Sequence, residues 1–229
     1  VLAITEENEI YVLKDTGEIV SNIKIPKGEV IDGTLSDNHN MTAFTVLNVE
    51  ENGFYSNLLF YSLEGRVISG KKFDDKIIFK LFFDKNDEIL AIGDDRIFKI
   101  NYEGKILWDK NIEDTINRGD MSDEGILALS LIKKKNPIID TKNRSIISQM
   151  DLDGNIVSKT PVVGDIIGID INNKVIAACT ERTIYLIDDK GKIILEKKIN
   201  KDIKGVYWIS DKNLAVVFRD KVEIMNVNY

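Results

Sequence analysis

Residues 97–112 read IFKINYEGKILWDKNI, two hydrophobic runs joined by a short polar turn that ends in Gly104. One copy of such a segment is a β-hairpin or a piece of a ligand-binding motif. Four further copies decide for the hairpin: IYVLKDTGEIVSNIKI (10–25), LFYSLEGRVISGKKF (59–73), IISQMDLDGNIVSKTPV (146–162) and IYLIDDKGKIILEKKI (184–199). Each turn closes on a glycine, at Gly17, Gly65, Gly104, Gly154 and Gly191. Tight hairpin loops hold one residue at positive φ, where a side chain is strained and glycine is not. An Asp or Asn ahead of the glycine can accept hydrogen bonds from the turn's own backbone.

A second unit precedes most copies: DGTLSDNHNMTAFTVLN, FKLFFDKNDEILAIGDD, RGDMSDEGILALSLI, IIGIDINNKVIAACTERT and KGVYWISDKNLAVVFRD. Two apolar runs again flank a polar turn, and small residues (Ala43, Ala91, Ala128, Ala177) mark the second run, as a crowded inner strand requires. The combined cassette is four short antiparallel strands, a to d, with its turn glycines 37–50 residues apart. That period is the signature of a β-propeller blade. A β-sandwich also has many short strands, but not a repeated four-strand cassette. No sustained 3.6-residue apolar stripe occurs, so essentially no helix is expected.

The expected fold is therefore all-β, one β-propeller domain over 1–229 with six visible blades, at approximately 1–25, 31–73, 79–112, 119–162, 166–199 and 204–229. The first shows only strands b to d and the last only a to c. The absent strands are expected in a segment upstream of Val1, which would then close the ring, unless further whole blades lie there.

Composition narrows the chemistry. The 229 residues are 43% hydrophobic, with a net charge of -7, which opposes the positive field that nucleic acid or an anionic membrane surface demands. Partners are expected to be a protein or a small molecule. A single cysteine, Cys179, permits neither an internal disulfide nor a cysteine zinc cage, and a single histidine, His39, makes a Ser-His-Asp triad improbable. Abundant Ile, Lys and Asn fit the drift of an AT-rich bacterial genome. No apolar run is long enough for a membrane-spanning helix.

The hairpin INYEGKILW, which ends at Trp108, together with VLKDTGEIV and LIDDKGKII, resembles the repeat of the quinoprotein-like propellers. That group holds both pyrroloquinoline-quinone dehydrogenases and a non-enzymatic scaffold lipoprotein. The resemblance implies that a tryptophan after the c–d turn docks between blades. Only Trp108 fits, since Ser21, Ser69, Ser158 and Leu195 hold the equivalent places. The dehydrogenases hold calcium and quinone through acidic and amide side chains; no residue here matches those ligands, and no cofactor or metal is expected. The chain also looks like a clostridial family of membrane-anchored extracytoplasmic propellers. This resemblance implies a cell-surface location in a Gram-positive bacterium and an anchor before Val1.

Individual motifs have plain readings. DLDGN (151–155) resembles a calcium-loop opening, but its twelfth position is Val162 rather than Glu, and it coincides with a hairpin turn. His39 falls on an a–b turn, and Cys179 in an apolar b strand reads as a buried thiol. Trp108 and Trp208 read as packing residues. The acidic pairs Asp94–Asp95 and Asp188–Asp189 read as solvated turn formers. Carboxylates poised for glycoside hydrolysis would have to converge from different blades.

The repeat is stretched twice between strands b and c, at NVEENGFYSN (48–57) and KKKNPIIDTKNR (133–144). In a propeller the b–c and d–a loops emerge on one face, commonly the binding face. The expected function is a non-enzymatic scaffold or recognition propeller binding through those loops, with Phe54, Tyr55, Lys133, Lys134, Lys135 and Ile138 as candidate contacts. The alternative is a propeller-class lyase or hydrolase acting at the central channel; acidic or Arg side chains gathered there would favour it.

Overall fold

The computed structural model describes residues 1–36, 41–133 and 145–227, and every described element is a β-strand or a turn. The strands form six antiparallel sheets of three or four strands in chain order, and these are the blades of a β-propeller. The chain divides into two compact units, Val1–Asn111 and Ile112–Tyr229.

The first unit holds three sheets. The first is β1 (Leu2–Ile4), β2 (Glu9–Leu13) and β3 (Ile19–Lys24); the second is β4 (Glu29–Leu35), β5 (Met41–Glu50), β6 (Gly53–Ser62) and β7 (Val67–Asp74). The third is β8 (Ile78–Phe83), β9 (Ile89–Gly93), β10 (Arg96–Ile100) and β11 (Ile106–Asn111). In the second unit, β12 (Thr115–Met121), β13 (Leu127–Ile132), β14 (Ser145–Met150) and β15 (Ile156–Val162) form the fourth sheet. The fifth is β16 (Gly168–Asn172), β17 (Val175–Cys179), β18 (Thr183–Ile187) and β19 (Ile193–Lys198), and the sixth is β20 (Ile203–Ser210), β21 (Asn213–Phe218) and β22 (Val222–Asn226).

Burial follows strand order within each sheet. The b strands β9 and β17 are buried along their whole length, whereas the d strands β11 and β19 are mostly exposed toward their ends. A strand covered on both faces needs a continuous apolar run, and ILAIG and VIAAC supply it. The five b-strand alanines, Ala43, Ala91, Ala128, Ala177 and Ala215, are all buried.

The core is distributed between neighbouring sheets. Leu81, Phe98, Phe60 and Phe73 fill the space between the second and third sheets, where the Phe73 and Phe98 rings lie 4.7 Å apart. Cys179, Ile184, Leu186, Val206, Leu214 and Phe218 fill the corresponding space between the fifth and sixth. Burying each such side chain contributes about 1.5–3 kcal/mol, so the two sheets of each of these pairs depend on each other. The register shows the dependence directly. Leu186, paired with Ala177, is fully buried, whereas Ile224, paired with Ala215 in the sixth sheet, is 58% exposed.

All five c–d hairpins share one turn. Gly17, Gly65, Gly104, Gly154 and Gly191 have φ of 77–83° and donate their N–H to the carbonyl three residues back, and each hairpin is irregular at the last residue of its c strand. This is a type I turn closed by a glycine bulge. Asn101, Asp151 and Asp188 each accept two turn N–H groups through one side-chain oxygen. Asp151 of DLDGN is thus a turn-capping residue.

The glycines have a second role. A Cβ on Gly104 would stand 2.9 Å from the Gly70 carbonyl oxygen, and one on Gly191 would stand 2.8 Å from Ser158 Cβ. The turns of Gly65, Gly104 and Gly191 therefore seat on strand d of the preceding sheet, beside Ser21, Ser69 and Ser158, where the resembling repeat carries its tryptophan. Ser69 donates to the Tyr102 carbonyl and Thr160 to that of Gly191, at 2.6 Å, which completes the contact.

Candidate functional site

Two places gather polar side chains in an arrangement the alternation of strands does not itself require. One is the row of a strands. Asp120 on β12 and Asp170 on β16 occupy equivalent positions, each opposite a b-strand alanine, Ala128 and Ala177. Asp120 Oδ2 accepts the N–H of Ile171 at 2.9 Å, and Asp170 Oδ2 accepts that of Trp208 on the following sheet. Asp32 does the same in the first unit, accepting from Leu81 N at 2.8 Å with Lys80 Nζ 3.3 Å away.

Electrostatics distinguishes these carboxyls. Burial raises Asp32 above the usual carboxylate range, with Lys80 opposing. Burial and a hydrogen bond to the Asp170 carboxyl push Asp120 up to about 7. Asp120 is thus partly protonated at neutral pH. Carboxylates from different sheets do converge, as the enzyme alternative requires, but both also accept backbone N–H groups and so serve as latches between sheets. The sequence carried a signal for them, an Asp inside strand a of three copies (VIDGTL, NRGDMS, IGIDIN), whereas the acidic pairs singled out from sequence, Asp94–Asp95 and Asp188–Asp189, read as solvated turn formers.

The other place lies in the second unit, where the β17–β18, β19–β20 and β21–β22 connections surround an open cavity of about 390 Å³. These are two b–c loops and the d–a loop between them. Arg182, Lys201, Asp202, Phe218, Arg219 and Asp220 line it. The walls are set by backbone geometry: Ile199 N donates to Arg182 O at 2.8 Å, Ile203 N to Glu181 O at 2.7 Å, and Phe218 N to Lys221 O at 2.8 Å. Thr180 Oγ1 accepts the N–H of Thr183 at 2.9 Å and tightens the first loop. Phe218 is buried, and the ammonium groups of Lys201 and Lys221 each lie 6.0 Å from its ring centre. Arg182 pairs with Asp202 at 3.0 Å, and Lys221 pairs with Glu223. The hydrogen bond that Lys221 donates to Glu223 raises Lys221 above its usual range.

Of the candidate contacts read from sequence, Phe54, Tyr55 and Lys133 fall within the described residues. Phe54 and Tyr55 sit on β6 in the first unit, because residues 48–57 extend the β5–β6 hairpin into two ten-residue strands instead of forming a loop. Phe54 is 37% exposed; Tyr55 is half-buried under the Lys72 ammonium, 4.2 Å from its ring centre. Lys133, in the second unit, is exposed at the end of β13. Lys134, Lys135, Ile138 and His39 lie outside the described residues. Cys179 is fully buried, and burial pushes its thiol up to about 12. Among the described residues no group of three His, Cys, Asp or Glu side chains is placed to hold a metal, and no helix could cross a membrane.

The cavity loops had only a general sequence signal, their position in the b–c and d–a connections, since ERT, NKD and RDK are short and lack any insertion.

In fold the chain is similar to other β-propellers. A solved structure of KlHsv2 with loop 6CD replaced by a Gly-Ser linker matches with a TM-score of 0.70 and 12% identity, over 100% of this chain and 76% of that one. The chain belongs to a family of unknown function, DUF5711, whose model matches residues 1–227. A search of curated proteins finds no match.

Proposed function

We propose that the chain is a non-enzymatic recognition propeller that binds a protein or small-molecule ligand through its b–c and d–a connections. The observation that supports this reading is the cavity of the second unit, whose lining residues all belong to or adjoin three such connections. Loops held by backbone hydrogen bonds present a largely pre-formed surface, which lowers the ordering cost of binding. Phe54 and Tyr55, on the extended β5–β6 hairpin, and Lys133, Lys134, Lys135 and Ile138 remain candidate contacts.

The resemblance of the glycine-closed hairpins to the quinoprotein-like repeat supports a scaffold of that type, and the likeness to clostridial membrane-anchored propellers supports an extracytoplasmic, cell-surface setting. An enzyme reading has one observation in its favour, the Asp120–Asp170 pair. Its carboxyls already accept the N–H groups of Ile171 and Trp208, which favours the latch.

Thermal unfolding in the presence of calcium, sugars, anions and peptides tests the reading, because a ligand bound only by the folded state raises the melting temperature. The expected result is a saturable rise that disappears when residues 180–182, 200–202 and 219–221 are replaced by Gly and Ser. Turnover of a glycan or ester that Asp170→Asn abolishes would overturn it in favour of the enzyme.

A further inference from the structure

We propose that the cavity among residues 182, 201, 218 and 219 is an oxyanion site that takes a phosphate group, held between Arg219 and Lys201. The inference rests on the recognition reading above and adds the chemistry of the ligand. Pairing removes most charges around the cavity: Arg182 is neutralised by Asp202 and Lys221 by Glu223. Among the described residues neither Lys201 nor Arg219 forms an ion pair, although Lys201 also lowers Glu223 through space, and Asp220 adds one acid to the lining. A cationic surplus therefore persists here in a protein whose net charge is -7.

Lys201 and Lys221 also share one aromatic neighbour. Both ammonium groups lie 6.0 Å from the centre of the Phe218 ring. Like charges gathered around one ring repel, and the ring's negative face offsets only part of the repulsion. An anion between Lys201 and Arg219 relieves the remainder. Arg219 supplies a planar fork suited to two oxygens at once, and Lys201 a compact charge for a third.

Asp220 sharpens the specificity. Phosphate keeps a proton in mildly acidic solution and can donate it to the Asp220 carboxylate, whereas sulfate cannot and is repelled.

The test is amide NMR of the 229-residue chain titrated at pH 6 with inorganic phosphate or sodium sulfate at matched ionic strength. The expected result is saturable shifts at Lys201, Asp202, Arg219 and Lys221, with phosphate at least about fivefold tighter than sulfate. Arg219→Met and Lys201→Met should each weaken phosphate about tenfold, and Asp220→Asn should abolish the preference over sulfate. Flotation with phosphatidylcholine vesicles containing phosphatidic acid, against phosphatidylserine, identifies the source of the phosphate. Capture by phosphatidic acid that needs Arg219 assigns a lipid headgroup, and NMR binding without capture assigns a soluble phosphate; both support the site. Linear, non-saturating shifts, or an unchanged affinity in Arg219→Met, would overturn it. If a sugar or neutral peptide shifts these amides saturably and phosphate does not, the oxyanion inference falls while the recognition reading stands. If no ligand in the panel shifts any b–c or d–a amide, both fall.

Discussion

The carboxyl of Asp120 on β12 is hydrogen-bonded to that of Asp170 on β16, although the two residues lie on different sheets of the second unit. Burial and this contact push Asp120 up to about 7, far above the range of an exposed carboxylate. Between about pH 4 and 7 the folded chain therefore binds a proton that the unfolded chain has released, so this contribution to stability is complete below about pH 4 and is lost as pH rises through about 7. Asp120→Asn replaces the titrating proton with a permanent amide donor. It should leave stability little changed at pH 5 and raise it at pH 8 by about 1–2 kcal/mol, or ~2–8 °C. Melting curves of both proteins across that range give the result, and a constant difference at every pH would refute the raised titration of Asp120.

The turn glycines should differ in how much an added methyl group costs. Gly17 has φ of 83° and nothing within 4 Å of a built Cβ, so Gly17→Ala should cost only the left-handed strain, about 1–2 kcal/mol. Gly191 combines φ of 77° with contacts at 2.8–3.0 Å to Ser158 and Thr160, and Gly191→Ala should cost about 1–2 kcal/mol more. Adding Ser158→Gly should recover part of that extra loss without touching the strain. Urea unfolding midpoints of the three variants separate the two terms, and equal losses at Gly17 and Gly191 would mean that the hairpin does not seat on the neighbouring sheet.

Lys99 should be the most sensitive charged residue of the first unit. Its Nζ lies 2.9 Å from Asp84 Oδ2 and 2.9 Å from Glu88 Oε2, and the Asp84 side chain is fully buried. Burial opposes the charge on Lys99, but hydrogen bonds to Glu88 and Asp84 outweigh it and leave the ammonium above its usual range. Lys99→Met leaves a buried carboxylate uncompensated and should cost about 3–5 kcal/mol. Lys99→Met with Asp84→Asn should cost less than the single change, because the orphaned charge is gone. Stopped-flow or equilibrium unfolding of the single and double variants completes the cycle; additive losses would show that the pair is not coupled.

Much of the architecture was legible in the residues because its determinants are local. A glycine at positive φ, an Asx side chain capping its own turn and an unbroken apolar run in strand b act within about ten residues, so Gly104, Asp151 and VIAAC disclosed hairpins, turn chemistry and an inner strand without reference to the rest of the chain. The strand extension at residues 48–57 was read as an insertion because its polar residues look like loop until they pair across a ladder, Asn48 with Tyr55 and Ser56 with Leu47, where both polar residues are buried.

What the sequence determined by itself was a repeated four-strand cassette and, through one cysteine, one histidine and an acidic balance, the exclusion of several chemistries. Only the tertiary structure brought Asp120 to Asp170, seated Gly191 on Ser158 and gathered Arg182, Lys201 and Arg219 around one cavity. These partners are 18–50 residues apart and on different elements, and their proximity depends on how successive sheets stack. Side-chain alternation specifies which face of a strand is apolar, but the stacking of one sheet on the next specifies which charges share a space, and charge interactions act through space and not along the chain.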